Sequence, residues 1–240
     1  MRIVTRPDFD GVVCAVLIAD ALGIEQPVCW VEPNELSKGT ADIRPGDILA
    51  NLPHHPRCHM WFDHHATNRI EGAFKGCFRE APSAARIVFE YYADRLKRDF
   101  TELVYWADRI DSADFTQDEV LRPEKYAYVL LSMTVSGAAG REEAYWESVV
   151  RLLHGKDIAL VMAHSEVEAR CRTVVRQNRE YAEWLRKYTR IEGRVAITDF
   201  RSLEQAPLGN RFLAYSLFPE AVDSVRIRYE DPGKQTVAVS

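Results

Sequence analysis

Over the first 135 residues, short β-type runs alternate with helical ones, and this constrains the chain more than any other feature. Arg2-Ile3-Val4-Thr5 is a brief β run, broken by Pro7. Gly11 to Leu22 (GVVCAVLIADAL) reads as a mainly apolar helix ended by Gly23. Residues 27–32, 47–51 and 59–62 have strand character. Ser83 suits the N-cap of a helix running to about Lys97, with Ala84, Ile87, Val88, Tyr91 and Leu96 as its apolar face. A strand followed by a helix, repeated, predicts an α/β fold with a parallel sheet covered by helices on both sides.

The run Ser136-Gly137-Ala138-Ala139-Gly140 is the clearest break in the chain. Residues 141–188 are almost wholly helical in pattern, interrupted near 155–157. From Ile191 to Ser240 there are three strand-like runs (191–198, 222–230 and 235–240) and a short helix near 209–217. That is little for an independent domain. The expected plan is therefore a domain over 1–135, a helical connector over 136–190 and a small, incomplete α+β domain over 191–240.

An apolar content of 47% with 28% charged residues suits a globular protein. A net charge of −5 gives no hint of the basic face that long duplex nucleic acid requires. The arginine-rich stretch 168–190 alternates charge with apolar residues at helical spacing, as a solvated helix face does. The cysteines at 14, 29, 58, 77 and 171 form no CxxC pair and are odd in number. A reducing compartment is the simpler reading. MRIVTRPD lacks the marks of a signal peptide, and the apolar run Val12 to Ala19 is too short for a bilayer. The expectation is a soluble, cytoplasmic protein with no membrane partner.

Five of the seven histidines fall between His54 and His65, in NLPHHPRCHMWFDHH. Histidine has no packing reason to concentrate this way, whereas imidazole and carboxylate together suit a divalent metal. Asp63, His64 and His65 follow the strand HMWF, and the carboxyl end of a parallel strand faces the functional crevice. Asp8 and Asp10 follow the strand RIVT and precede a helix, with Gly11 relieving the turn. Oxygen from here and nitrogen from His64 favour Mn²⁺ or Mg²⁺ over Zn²⁺. The plainer reading of Asp8 and Asp10 is a turn with a capping aspartate. Asp108, Asp111 and Asp114 add an acidic group, of which 108 and 111 share one helical face. An exposed helix face explains each of these equally well. His54, His55, Cys58 and His59 lack the second paired set of a closed zinc site.

PDFDG near the N-terminus, FDHH some fifty residues later and WADRIDSAD beyond resemble the motifs of the DHH phosphoesterase superfamily. Its branches include RecJ exonucleases, oligoribonuclease/pAp phosphatases and exopolyphosphatase-like proteins. The resemblance implies a metal-binding catalytic domain over 1–135, a five-stranded parallel sheet, two metal ions and hydrolysis by metal-activated water. It makes Asp8 and Asp10 metal ligands, His64 a ligand to the second metal, and His65, beside Asp63, a contact to the substrate phosphate. Asp108 takes the place of the later acidic ligand, with Asp111 as the other candidate. The resemblance also implies a histidine at position 4 and a bridging aspartate at position 51, where this chain has Val4 and Asn51. The expectation is then one tight manganese or magnesium site and one weaker one.

Polyphosphate, pAp, short oligonucleotides and cyclic dinucleotides are the candidate substrates, with the exopolyphosphatase-like branch favoured by NLPHHP before FDHH. The alternative is a catalytically weakened member of the fold that binds a nucleotide or phosphate and acts as a regulator. Relatives carry a glycine-rich, histidine-bearing segment in the small domain, and none follows Gly233 here. A longer native chain, or a partner covering the last strand, is the corresponding expectation.

Overall fold

The computed structural model describes residues 1–135, 140–207, 209–229 and 236–239. The chain divides into two compact units, one of residues 1–115 and 127–168, the other of 116–126 and 169–240. Residues 136–190, read as one connector, are thus shared between the units. The break at 136–139 and the ends of the run 235–240 lie outside the described residues.

In chain order the first unit begins with β1 (Ile3–Thr5), α1 (Phe9–Leu22), β2 (Cys29–Trp30), α2 (Pro33–Ser37), β3 (Ile48–Ala50), β4 (Met60–Asp63) and β5 (Gly76–Phe78). It continues with α3 (Ala84–Tyr91) and α4 (Thr101–Asp111). The helix α5 (Gln117–Leu121) belongs to the second unit, while α6 (Ala127–Thr134), α7 (Glu143–Gly155) and α8 (Ile158–Met162) return to the first. The five strands are all parallel, in the order β2-β1-β3-β4-β5. The order reverses direction between β1 and β3, and such a switch point opens a crevice at the carboxyl ends of the strands.

Alternation along each strand sorts the two faces. Val4, Leu49 and Trp61 are register partners in one row and join Val31, Ile43 and Leu52 in a core cluster, against which Leu36 of α2 packs. The other face meets α1. This helix is apolar on nearly every side, so it is buried along most of its length and packs against α3, α4 and α7. Asp8 caps its start, accepting from the Gly11 N–H, and Gly23 ends it in the left-handed conformation at φ 65°.

Ser83 caps α3, its Oγ accepting from the Arg86 N–H at 3.0 Å. The helix stops at Tyr91, six residues short of the expected end, and a 3₁₀ turn (93–95) follows. Two anchors explain the early stop. Tyr92 is buried while Tyr91 stays largely exposed, both packing on Phe62, and the Asp20 carboxylate accepts the Lys97 N–H at 2.6 Å.

The second unit contains α9 (Ser165–Tyr188) from Ala169 onward, then β6 (Thr189–Glu192), β7 (Val195–Asp199), α10 (Leu213–Leu217), β8 (Asp223–Tyr229) and β9 (Val237–Val239). These strands form one mixed sheet, β6-β7-β8-β9, in which only β7 and β8 run parallel. The single run read over 191–198 is in fact the hairpin β6–β7. Gly193 at φ 61° makes the turn, a conformation that costs glycine nothing. No helix among the described residues is long and apolar enough to cross a membrane.

Candidate metal centre at the sheet switch point

The carboxyl ends of β1, β3 and β4 deliver Asp8 and Asp10, Asn51, and Asp63 to His65 to one crevice of the first unit. Asp10 is buried at the start of α1, where each oxygen accepts one backbone N–H from the first turn of α3: Oδ2 from Ala84 at 2.9 Å and Oδ1 from Ala85 at 2.8 Å. A carboxylate offers about four lone-pair sites, so acceptor capacity remains.

His64 supplies the most informative atom. Its Nδ1 lies 2.9 Å from the Ala81 carbonyl oxygen, which can only accept, so Nδ1 carries the proton. Nε2 is buried and without a hydrogen-bond partner. It sits 3.2 Å from Asp111 Oδ2 and 3.9 Å from Asp10 Oδ2. Two carboxylate oxygens thus converge on an unpartnered ring nitrogen, and a cation among them would relieve the repulsion between the carboxylates. Asp10, His64 and Asp111 each offer a ligand atom within 4.8 Å of the others, and ligands on one octahedral ion stand about 3 Å apart. These residues fit a divalent cation.

The electrostatics agree with that fit. Burial holds the Asp10 carboxyl well above the usual carboxylate range, and the charges of Asp111 and Asp8 push it the same way. Asp111 is raised as well, first by burial, while the histidines and Arg6 pull it back. Asp8 is pushed up to about 6 by the protein packed around it, with Arg6 and the Gly11 N–H opposing. Its side chain still keeps 29% of its surface open, as suits a group lining a crevice. Crowded carboxylates of this kind are stabilised by a bound cation.

Asp63 is fully buried and accepts hydrogen bonds on both oxygens. Its Oδ1 accepts from the His64 N–H at 2.9 Å and from His65 Nδ1 at 2.8 Å, and its Oδ2 from Asn68 Nδ2 at 2.6 Å. The Asp63 hydrogen bond raises the His65 pKa and favours the imidazolium, leaving Nε2 without a protein partner among the described residues. Asp63, His64 and His65 also lie within ligand distance of one another. Asp63 thereby orients His65, while Oδ2, with a single donor, keeps acceptor capacity.

The two acidic candidates on α4 part company. Asp111 faces His64, whereas Asp108 accepts from Ser83 Oγ at 2.6 Å and from both Nε and one terminal nitrogen of Arg86, at 2.9 and 2.5 Å. Asp108 thus ties α4 to the start of α3. Asp114 lies at the surface beside Arg109. Asn51, at φ 55°, donates from Nδ2 to Asp8 Oδ1 at 2.9 Å, and its Oδ1 is buried without a partner. Val4 faces the core cluster beneath the sheet.

The histidines upstream have separate occupations. His54 packs edge-on against Trp61, His55 Nδ1 accepts the Arg57 N–H, and His59 Nε2 meets Lys75 Nζ at 3.1 Å. Cys58 packs against the core cluster. Three participants had no signal in the sequence: the Ala81 carbonyl that fixes the His64 tautomer, Asn68 behind Asp63, and Arg86 behind Asp108. Each is a partner of a motif residue, brought near only by the fold.

No family model matches this chain, and no curated protein does. Among solved structures, the pGpG-specific phosphodiesterase PggH from Vibrio cholerae is similar, with a TM-score of 0.85 and 28% identity over 99% of this chain and 81% of that one. An uncharacterized protein from Helicobacter pylori G27 gives a TM-score of 0.34 at 10% identity, over 96% of this chain and 83% of that one.

Proposed function

We propose that this chain is a divalent-metal-dependent phosphohydrolase of the DHH kind, acting in the cytoplasm on a short linear dinucleotide such as pGpG. The observation that carries the metal reading is the buried, unpartnered His64 Nε2, its ring oriented by Ala81 and facing Asp10 and Asp111. The likeness to PggH supports phosphodiester hydrolysis and favours a dinucleotide over the polyphosphate to which NLPHHP pointed. All five cysteines are free, in keeping with a reducing compartment.

Asp10, His64 and Asp111 would hold the ion, with manganese or magnesium suited to the mixed oxygen and nitrogen set. When bound, a divalent cation supplies Lewis acidity, activating water and neutralising charge on the phosphoryl group. His65 offers the phosphoryl oxygens a hydrogen bond from Nε2, and Asp63, itself held by Asn68, keeps the ring charged and aimed. The Ala84 and Ala85 N–H groups fix the Asp10 carboxylate, so the ligand geometry is set before substrate arrives.

A second reading, a nucleotide-binding regulator without turnover, is favoured by the engagement of Asp8 with Arg6 and Asn51. One experiment separates the two. The manganese-loaded protein is offered pGpG, pAp and polyphosphate, and release of GMP from pGpG is the expected result. His64→Ala should lower that rate by at least about 100-fold. Tight pGpG binding without hydrolysis in manganese or magnesium would establish the regulator instead.

A further inference from the structure

We propose that the Arg6 guanidinium stands in place of a second divalent cation, so that this site is built for one metal ion and one arginine. The inference rests on the metal reading above and deepens it, by naming what neutralises Asp8 and what else grips the phosphoryl group.

Asp8 is already served by the protein. Its Oδ1 accepts from the Gly11 N–H at 2.8 Å and from Asn51 Nδ2 at 2.9 Å. Its Oδ2 lies 3.2 Å from Arg6 Nε, which is also 3.9 Å from Glu32 Oε2. A second ion at Asp8 would have to displace a guanidinium. Position 4 points into the apolar core, and the side chain at 51 presents a donor to Asp8. Turning the Asn51 amide round would set its oxygen against a carboxylate oxygen, so the network fixes its orientation.

Arg6 sets its Nε between two carboxylates, Asp8 and Glu32. Its side chain is 41% exposed, and its terminal nitrogens make no hydrogen bond among the described residues. Nε therefore pairs with Asp8 while the other end of the planar fork is open to a phosphoryl oxygen.

Manganese binding to the full chain tests this without reference to turnover, by metal analysis after dialysis and by electron paramagnetic resonance. The unaltered protein should hold about one equivalent with the six-line signal of an isolated ion. Removing the guanidinium and supplying a carboxylate, in an Arg6→Ala/Asn51→Asp variant, should admit a second equivalent and produce an exchange-coupled signal. Arg6→Lys, which keeps the charge, should stay at one. Should the double variant fail to fold, Arg6→Ala alone is read by the same titration, with a second, weaker equivalent expected. Two equivalents in the unaltered protein would overturn the inference and leave the metal reading standing. A single equivalent in every folded variant overturns it as well, because Arg6 would then not be what excludes the second ion. No manganese in the unaltered protein overturns the metal reading itself and this inference with it.

Discussion

Asp108 and Asp111 lie three residues apart on α4, and what separates them is the partner each meets. Asp111 points at His64 Nε2; Asp108 is held by Arg86 and Ser83. Asp111→Asn should weaken manganese binding by more than about 10–100-fold, the scale seen for losing even an outer partner of a metal ligand. It should leave stability nearly unchanged, because one of several like charges is removed. Asp108→Ala should do the reverse, costing about 1–3 kcal/mol by leaving Arg86 half-buried without its carboxylate. Calorimetric titration with manganese and urea denaturation read the two effects separately. If Asp108→Ala abolishes binding while Asp111→Asn does not, the assignment of ligand and tether is reversed. The sequence could not choose between them. Spacing puts both on one helical face, but the rotation of α4 is set by Leu103, Val104 and Ala107 turning into the core. That packing belongs to the tertiary fold.

Among the elements, the edge strand β5 depends on a single glycine. Gly76 stands in register with Trp61 at φ 122°, and a Cβ there would meet the Trp61 carbonyl oxygen at 2.0 Å. Gly76→Ala should therefore cost about 3–5 kcal/mol, from backbone strain and a clash with β4 that no side-chain motion relieves. Gly72→Ala is the control, since φ is also positive there, at 106°, but the space is open. It should cost only about 1–2 kcal/mol. Equal losses in thermal or urea unfolding would mean that the approach to Trp61 does not matter. β5 itself, three residues long, was not legible in the sequence; nor was α2. Both are too short for periodicity to register, and tertiary pairing holds them. β1, α1 and β4 were legible because their apolar runs are bounded by Pro7, Gly23 and the polar Asp63-His64-His65, and a parallel sheet followed from their order. The length of α3 was misread, since the apolar pattern continues through Leu96 while Asp20 and Tyr92 draw the chain away. Asp10 illustrates the limit well: its place after a strand was visible, its seat on the first turn of α3 was not.

At the scale of the whole molecule, every residue proposed to hold the ion lies in the unit of residues 1–115 and 127–168. The three ligands come from α1, from the end of β4 and from α4, segments about fifty residues apart in the chain. In the unfolded chain they do not converge, so the ion binds the folded unit and stabilises it by mass action. At a free manganese concentration about 100 times the dissociation constant, that amounts to about 2.7 kcal/mol. For a unit of this size each kcal/mol moves the melting temperature by about 2–4 °C, so a rise of about 5–10 °C is expected on adding manganese. Relief of repulsion among Asp8, Asp10 and Asp111 acts in the same direction and is already contained in the measured affinity. Scanning calorimetry with and without manganese, followed by chelation, reads the shift and its reversal. His64→Ala should abolish the shift while keeping the cooperative transition, because the only hydrogen bond its side chain makes among the described residues is the single one from Nδ1 to the Ala81 carbonyl. A manganese-dependent rise that survives in His64→Ala would locate the bound ion elsewhere, for the His64 Nε2 aimed by the Ala81 contact would then contribute nothing to holding it.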